Sequence, residues 1–170
     1  MLLDLVSLGA SPKPFEFKLR PGDIDLETEG INVASDVAVR GEARKNAAGI
    51  EVAGFVTGAL NVDCTRCLKA TETPLDVAFD VSFISQENAP EDKELQLQQA
   101  DLSADVLQGD ELDLSDLVRE QILLSLPEQA FCREDCRGLC PVCGKDLNEG
   151  DCECENDEVD PRWAALKGLK

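Results

Sequence analysis

The chain has 170 residues, with 35 Asp plus Glu against 16 Lys plus Arg, a formal charge of -19 and a sequence pI of about 4.2. That length fits one domain burying about 70% of its unfolded surface without disulfide staples, and that charge opposes non-specific binding to phosphate backbones or anionic lipid, so any nucleic-acid contact has to be local. With no His and no Tyr, imidazole acid–base work, Ser-His or Cys-His nucleophile pairs and His-containing metal sites are excluded.

Met1 to Ala10 is mildly apolar, but Asp4 interrupts it and no basic residue precedes it. It reads as a first strand rather than a secretory leader. No run reaches the roughly 18 apolar residues of a membrane span, which predicts a cytoplasmic location and no membrane partner. From Phe15 to Phe83 the dominant period is two: Phe15, Phe17 and Leu19, then Val37 and Val39, then Ile50, Val52, Leu60 and Val62, then Leu75, Val77, Phe79, Val81 and Phe83 alternate with polar or small residues. Such alternation predicts antiparallel strands with one face buried and one wet. Asn46 to Gly49 reads as a hairpin turn, and Gly54 and Gly58 suggest bulges or a sheet bent toward a small barrel.

Ser85 to Asp113 carries nine acidic residues against the single Lys93. It reads as solvated loop with a short edge strand near Leu102 to Leu107. Asp113 then has Asp116 three residues on, and Leu114, Leu117, Val118, Ile122 and Leu126 follow at helical spacing up to Pro127. One amphipathic helix over about Leu114 to Leu126, laid on the sheet, is the expectation. Asp160-Pro161 would cap a short final helix bearing Trp163, either packed on the core or used for docking. The fold class expected is α+β: an antiparallel, barrel-like sheet, one helix and a cysteine-rich C-terminal segment. Residues 1–131 and 132–170 are expected to pack as one domain.

The eight cysteines form four close pairs: Cys64/Cys67, Cys132/Cys136, Cys140/Cys143 and Cys152/Cys154. In a reducing compartment such pairs favour metal over disulfides. Zn²⁺ prefers four thiolates, and a Cys-x-x-Cys turn offers two sulfurs along one edge of its tetrahedron. Gly144, just after Cys143, suits the left-handed backbone of such a knuckle. The spacing groups Cys140, Cys143, Cys152 and Cys154 in one site and leaves Cys64, Cys67, Cys132 and Cys136 for a second, giving one or two Zn²⁺ per chain. A radical S-adenosylmethionine cluster on Cys136, Cys140 and Cys143 would need a large barrel downstream, where only 27 residues follow. A redox dithiol at Cys64 and Cys67 lacks the strand-to-helix setting that activates one. Arg66, Lys69, Arg133, Arg137 and Lys145 sit beside cysteines. They either neutralise thiolates and nearby carboxylates or present a small basic face to RNA phosphates or a partner carboxylate.

Taken in order, Cys64-Thr-Arg-Cys67-Leu68, Asp116-Leu-Val-Arg-Glu120 leading into Leu124-Ser-Leu-Pro127, Cys136-Arg-Gly-Leu-Cys140-Pro-Val-Cys143-Gly144 with Leu147-Asn148, Cys152-x-Cys154 and Asp160-Pro-Arg-Trp163 resemble the YceD family. This is domain of unknown function 177, the large ribosomal RNA subunit accumulation proteins. The resemblance spans about Val62 to the C-terminus. It implies a bacterial or plastid factor needed for 23S ribosomal RNA to accumulate, with precursor 23S rRNA or a large-subunit ribosomal protein as partner, and no enzymatic activity or catalytic residue. The other expectation is an acidic adaptor or chaperone for a basic ribosomal protein or an rRNA-processing nuclease.

Overall fold

The computed structural model describes residues 1–46, 49–85, 104–107, 109–154 and Arg162. In chain order it contains β1 (Leu2–Asp4), β2 (Lys13–Leu19), a 3-10 turn (Pro21–Asp23), β3 (Ile31–Val33), β4 (Val37–Lys45), β5 (Ile50–Asp63), β6 (Ala70–Ser85), β7 (Ala104–Leu107), β8 (Glu111–Asp113) and α1 (Leu114–Ser125). The large sheet runs β2-β4-β5-β6-β7, with β3 continuing beyond β4 along the same edge of β5. β1 and β8 form a separate antiparallel pair.

The alternating strands behave as their pattern predicts. Val37, Val39, Val52, Val56, Phe79 and Phe83 are buried on one face. α1 covers that face with Leu114, Leu117, Val118 and Ile122, and Leu3, Leu5 and Leu8 close it from the β1 side. Asn46 and Gly49 make the expected turn: Asn46 N–H donates to Gly49 O at 2.8 Å and Gly49 N–H to Asn46 Oδ1 at 2.9 Å. Asp113 caps α1 by accepting from Ser115 N–H at 2.8 Å. That backbone donor, followed by the N-terminal amine, holds its carboxyl below the usual range. The helix stops at Ser125, one residue before the predicted Leu126, because a residue preceding proline disfavours helical ψ; Leu126 is extended, with ψ 134°.

Three expectations need correction. The sheet is not closed into a barrel: β2 and β7 are the two ends of the strand path. Nor do the glycines make bulges, since the β4–β5 register runs without interruption through Gly54 and the β5–β6 register through both Gly54 and Gly58. Gly41 and Gly54 pair across β4 and β5 and leave room for two aromatic rings. A Cβ on Gly41 would lie 2.7 Å from Phe15 Cζ, and one on Gly54 would lie 2.9 Å from Phe79 Cζ and 2.5 Å from Arg40 O. Lastly, the sheet is mixed, because β7 pairs parallel to β6. A parallel neighbour needs a long crossover, and residues 86–103 supply the length. The acidic stretch also holds β8, whose Leu112 is buried against the core. Most of that stretch lies outside the described residues, as do Asp160, Pro161 and Trp163 with the expected last helix.

Because the Gly54 clash is partly with backbone, Gly54→Ala is expected to destabilise the fold by about 1–3 kcal/mol through overpacking. A urea midpoint unchanged from the parent chain would contradict this account of the glycine pair.

Candidate metal centres

β5 and β6 are long partners in a single hairpin whose tip is Cys64-Thr-Arg-Cys67. Leu68 N–H donates to Cys64 O at 2.8 Å, and Cys64 N–H to Lys69 O at 3.0 Å. The second knuckle repeats this bonding: Gly144 N–H donates to Cys140 O at 2.9 Å and Cys140 N–H to Lys145 O at 2.8 Å. The residue after each Cys-x-x-Cys is left-handed, with φ 73° at Gly144 and φ 58° at Leu68. A glycine takes this conformation freely, whereas a leucine pays roughly 1–2 kcal/mol for it.

The eight sulfurs gather in two sets of four, and the membership follows the spacing: Cys64, Cys67, Cys132 and Cys136 in one, Cys140, Cys143, Cys152 and Cys154 in the other. Within each set the sulfurs lie within 4.8 Å of one another. Cys64 and Cys136 Sγ are 3.8 Å apart and Cys67 and Cys132 Sγ 3.6 Å apart. A tetrahedron with metal–sulfur arms of about 2.3 Å has edges of about 3.8 Å. These separations therefore suit a cation between the sulfurs and are far beyond a covalent S–S bond of about 2.05 Å. All eight thiols are free.

Backbone donors prepare the sulfurs for charge. N–H groups, that of Cys132 foremost, bring the Cys64 thiol down to about 6. Those of Cys143 and Val142 bring Cys140 to about 6. Burial pushes Cys132 up to about 12, and contact with the Cys143 sulfur does the same to Cys154. Four thiolates repel one another unless a cation sits among them, and a bound cation would favour release of these retained protons. The first set is the more enclosed, with Cys64, Cys67 and Cys136 buried; in the second, Cys143 is exposed.

Asn148, a motif residue to which sequence reasoning gave no role, links the two sets. Its Nδ2 donates to Cys136 Sγ at 3.4 Å, and its Oδ1 accepts from Arg133 NH2 at 2.7 Å and Arg137 N–H at 2.8 Å. It lies between Cys143 and Cys152 in sequence, so the loop of one cysteine set braces a sulfur of the other. Gly138, at φ 76°, allows a second close approach: a Cβ there would stand 2.8 Å from Arg66 O, which accepts from Leu139 N–H at 3.0 Å.

The five basic residues all lie around these centres, and four are engaged internally. Arg66 lies 4.3 Å over the Phe131 ring and donates to Glu134 O at 3.2 Å and Cys136 O at 2.9 Å. Arg133 pairs with Asp135 at 3.3 Å, Arg137 pairs with Asp151, and Lys145 Nζ donates to Asp151 O at 2.7 Å. Lys69 helps the Asn148 N–H, the larger influence, to hold the Asp146 carboxyl below its usual range. No helix among the described residues is long and apolar enough to cross a membrane.

Comparison with known proteins gives this architecture a family. Residues 52–170 match the family model of Large ribosomal RNA subunit accumulation protein YceD. An uncharacterized protein of Mycobacterium tuberculosis is 30% identical over 98% of this chain and 79% of its own length, and the uncharacterized protein YlbN of Bacillus subtilis is 30% identical over 82% and 77%. A chloroplastic Zea mays protein named Large ribosomal RNA subunit accumulation protein YCED homolog 1 is 25% identical over 98% of this chain and 66% of its own length. No solved structure matches. The model match extends over well more than half of the sequence and takes in both cysteine clusters, so the chain belongs to the YceD family.

Proposed function

We propose that the protein is a non-enzymatic factor of large-subunit ribosome biogenesis, promoting accumulation or processing of 23S rRNA in the bacterial cytoplasm. Each cysteine set takes one Zn²⁺, two per chain, and the metal-pinned knuckles form a surface for precursor 23S rRNA, with Lys69 the basic side chain best placed to leave its neighbours. The observation carrying this reading is the pair of four-sulfur clusters within the residues that match a family named for large ribosomal RNA accumulation. Depleting the protein in its own cell is expected to lower the ratio of mature 23S to 16S rRNA. The parent gene should restore the ratio and a Cys64→Ser, Cys140→Ser gene should not. An unchanged ratio on depletion would overturn the role.

A second reading, the acidic adaptor for a basic ribosomal protein or a nuclease, is favoured by one observation: Arg66, Arg133, Arg137 and Lys145 spend their charge inside the molecule. Affinity capture from lysate with and without ribonuclease separates the two. A basic partner retained after RNA is destroyed supports the adaptor, and loss of every partner supports the RNA contact.

A further inference from the structure

The outward face of the large sheet has an unusual centre. Outward positions of an open sheet are commonly polar, yet Phe55 stands on β5 with 47% of its surface exposed. Its cross-strand neighbours are Arg40 on β4 and Ala78 on β6, and the Arg40 guanidinium lies 5.5 Å over its ring. Beside it the backbone of the Gly41–Gly54 pair floors a shallow depression of about 670 Å³, walled by Pro14, Glu16, Glu42, Ala53 and the Phe55 ring. The small outward side chains at Ala38, Ala53, Ala59 and Ala78 leave the phenyl ring standing above its surroundings.

Charge then selects the occupant. Glu16 and Glu42 flank the depression on one side and Asp76 and Asp80 on the other, beside Thr57 and Ala53 in register. None of these four carboxylates makes an ion pair or hydrogen bond among the described residues; of the three basic residues on this face, Arg40, in register with Glu16, lies over Phe55, Arg44 pairs with Glu51, and Lys18 stands opposite Ala38 at the β2 end. Four carboxylates without an ion pair around an apolar ring repel a phosphate backbone and attract cations, and an aromatic anchor within a charged rim is the usual anatomy of a protein-docking site.

We propose that this face, centred on Phe55 and the Gly41–Gly54 depression, docks a cationic polypeptide segment that lays an apolar side chain against Phe55 and its Lys or Arg residues against Glu16, Glu42, Asp76 and Asp80. The proposal supplies a surface for the adaptor reading and rests on that reading only for its biological setting. It is separate from the knuckles and does not depend on metal.

The test uses the full zinc-loaded chain, isotope-labelled, titrated with a 12-residue synthetic peptide alternating Arg with Val around one central Phe. An Asp-for-Arg peptide and an oligouridine serve as controls. The Arg peptide is expected to shift the backbone resonances of Arg40, Gly41, Ala53, Gly54 and Phe55. Phe55→Ser and the pair Glu16→Lys, Glu42→Lys should each weaken binding at least about tenfold, with thermal midpoints showing that both variants fold. Glu120→Lys with Glu128→Lys, an equal charge change elsewhere, should weaken it less than about threefold. Equal losses for the two charge-reversed pairs, peptide shifts confined to other residues, or oligouridine moving the Phe55 resonances would each overturn the proposal. The 23S to 16S ratio bears on the ribosomal role alone, so the two can fail separately.

Discussion

With one Zn²⁺ in each cysteine set as proposed, Cys64→Ser is expected to halve the bound zinc, from two ions per chain to one, and to free the segment after α1 from the β5–β6 hairpin tip. The first cluster joins Cys64 and Cys67 at that tip to Cys132 and Cys136, 65 to 72 residues away in sequence. Across the same junction the described contacts are the bonds of Thr65 to Ala130 O, Leu139 N–H to Arg66 O at 3.0 Å, the Arg66 bonds and its stacking on Phe131, and the packing of Leu139 against the cysteines. A structural zinc site supplies on the order of 10 kcal/mol of binding free energy, which is folding free energy when the site does not preexist in the unfolded chain. A serine hydroxyl is a poor substitute for thiolate at such a site. Elemental analysis reads the stoichiometry, and limited proteolysis reads the junction, with new cleavage between 128 and 139. A variant that keeps two zinc ions and the parent digestion pattern would refute the clamp.

Chelation should expose a pH dependence that the metal-loaded form hides. In a metal-free fold that keeps both cysteine sets together, Cys64 and Cys140 lie near 6, below the ordinary thiol value of 9.0. Their contribution to stability is present above 9 and is lost as the pH falls through 6, because the unfolded chain then binds protons that the fold does not. Cys132 and Cys154, raised to about 12, have the opposite sign: their contribution is present below 9 and is lost as the pH rises through 12. The urea midpoint of chelated, reduced protein is therefore expected to climb from pH 6 to a maximum near 9 and decline beyond it.

The strands were legible because burial on one face writes a period of two into the sequence, and the helix because Asp113 and Pro127 bracket a period of 3.6. The four cysteine pairs were legible for a similar reason: knuckle geometry keeps two sulfurs of each set of four close in sequence. What escaped depends on contacts between distant residues. Gly54 looks the same in sequence whether it bends a strand or makes room for a ring, and only its place opposite Gly41, under Phe15 and Phe79, decides it. Phe55 sits in an alternating run without announcing which face it takes. Asn148 offers no local signal, since its partners Cys136, Arg133 and Arg137 are brought to it by the folding of two loops onto each other.

Arg66→Lys separates the two roles that a basic residue beside a cysteine knuckle can have. A phosphate contact needs mainly the positive charge, so the RNA-facing reading expects lysine to keep most of the binding and Arg66→Ala to lose it. The geometry argues for a bracing role instead. One planar guanidinium covers the Phe131 ring at 4.3 Å while its NH1 serves two carbonyls, Glu134 O and Cys136 O, in the loop carrying Cys132 and Cys136. A lysine ammonium, on a flexible stem, cannot stack flat and reach both carbonyls together. Lysine is thus expected to behave nearly like alanine, each costing about 2 kcal/mol of stability and about 10- to 100-fold in zinc affinity at the first cluster, the range for removing a group that supports metal ligands. Competition with a chromophoric chelator measures the affinity and urea unfolding the stability. If Arg66→Lys retains the parent zinc affinity while Arg66→Ala does not, charge rather than shape is what the knuckle requires at this position, and the basic residues regain their claim on RNA.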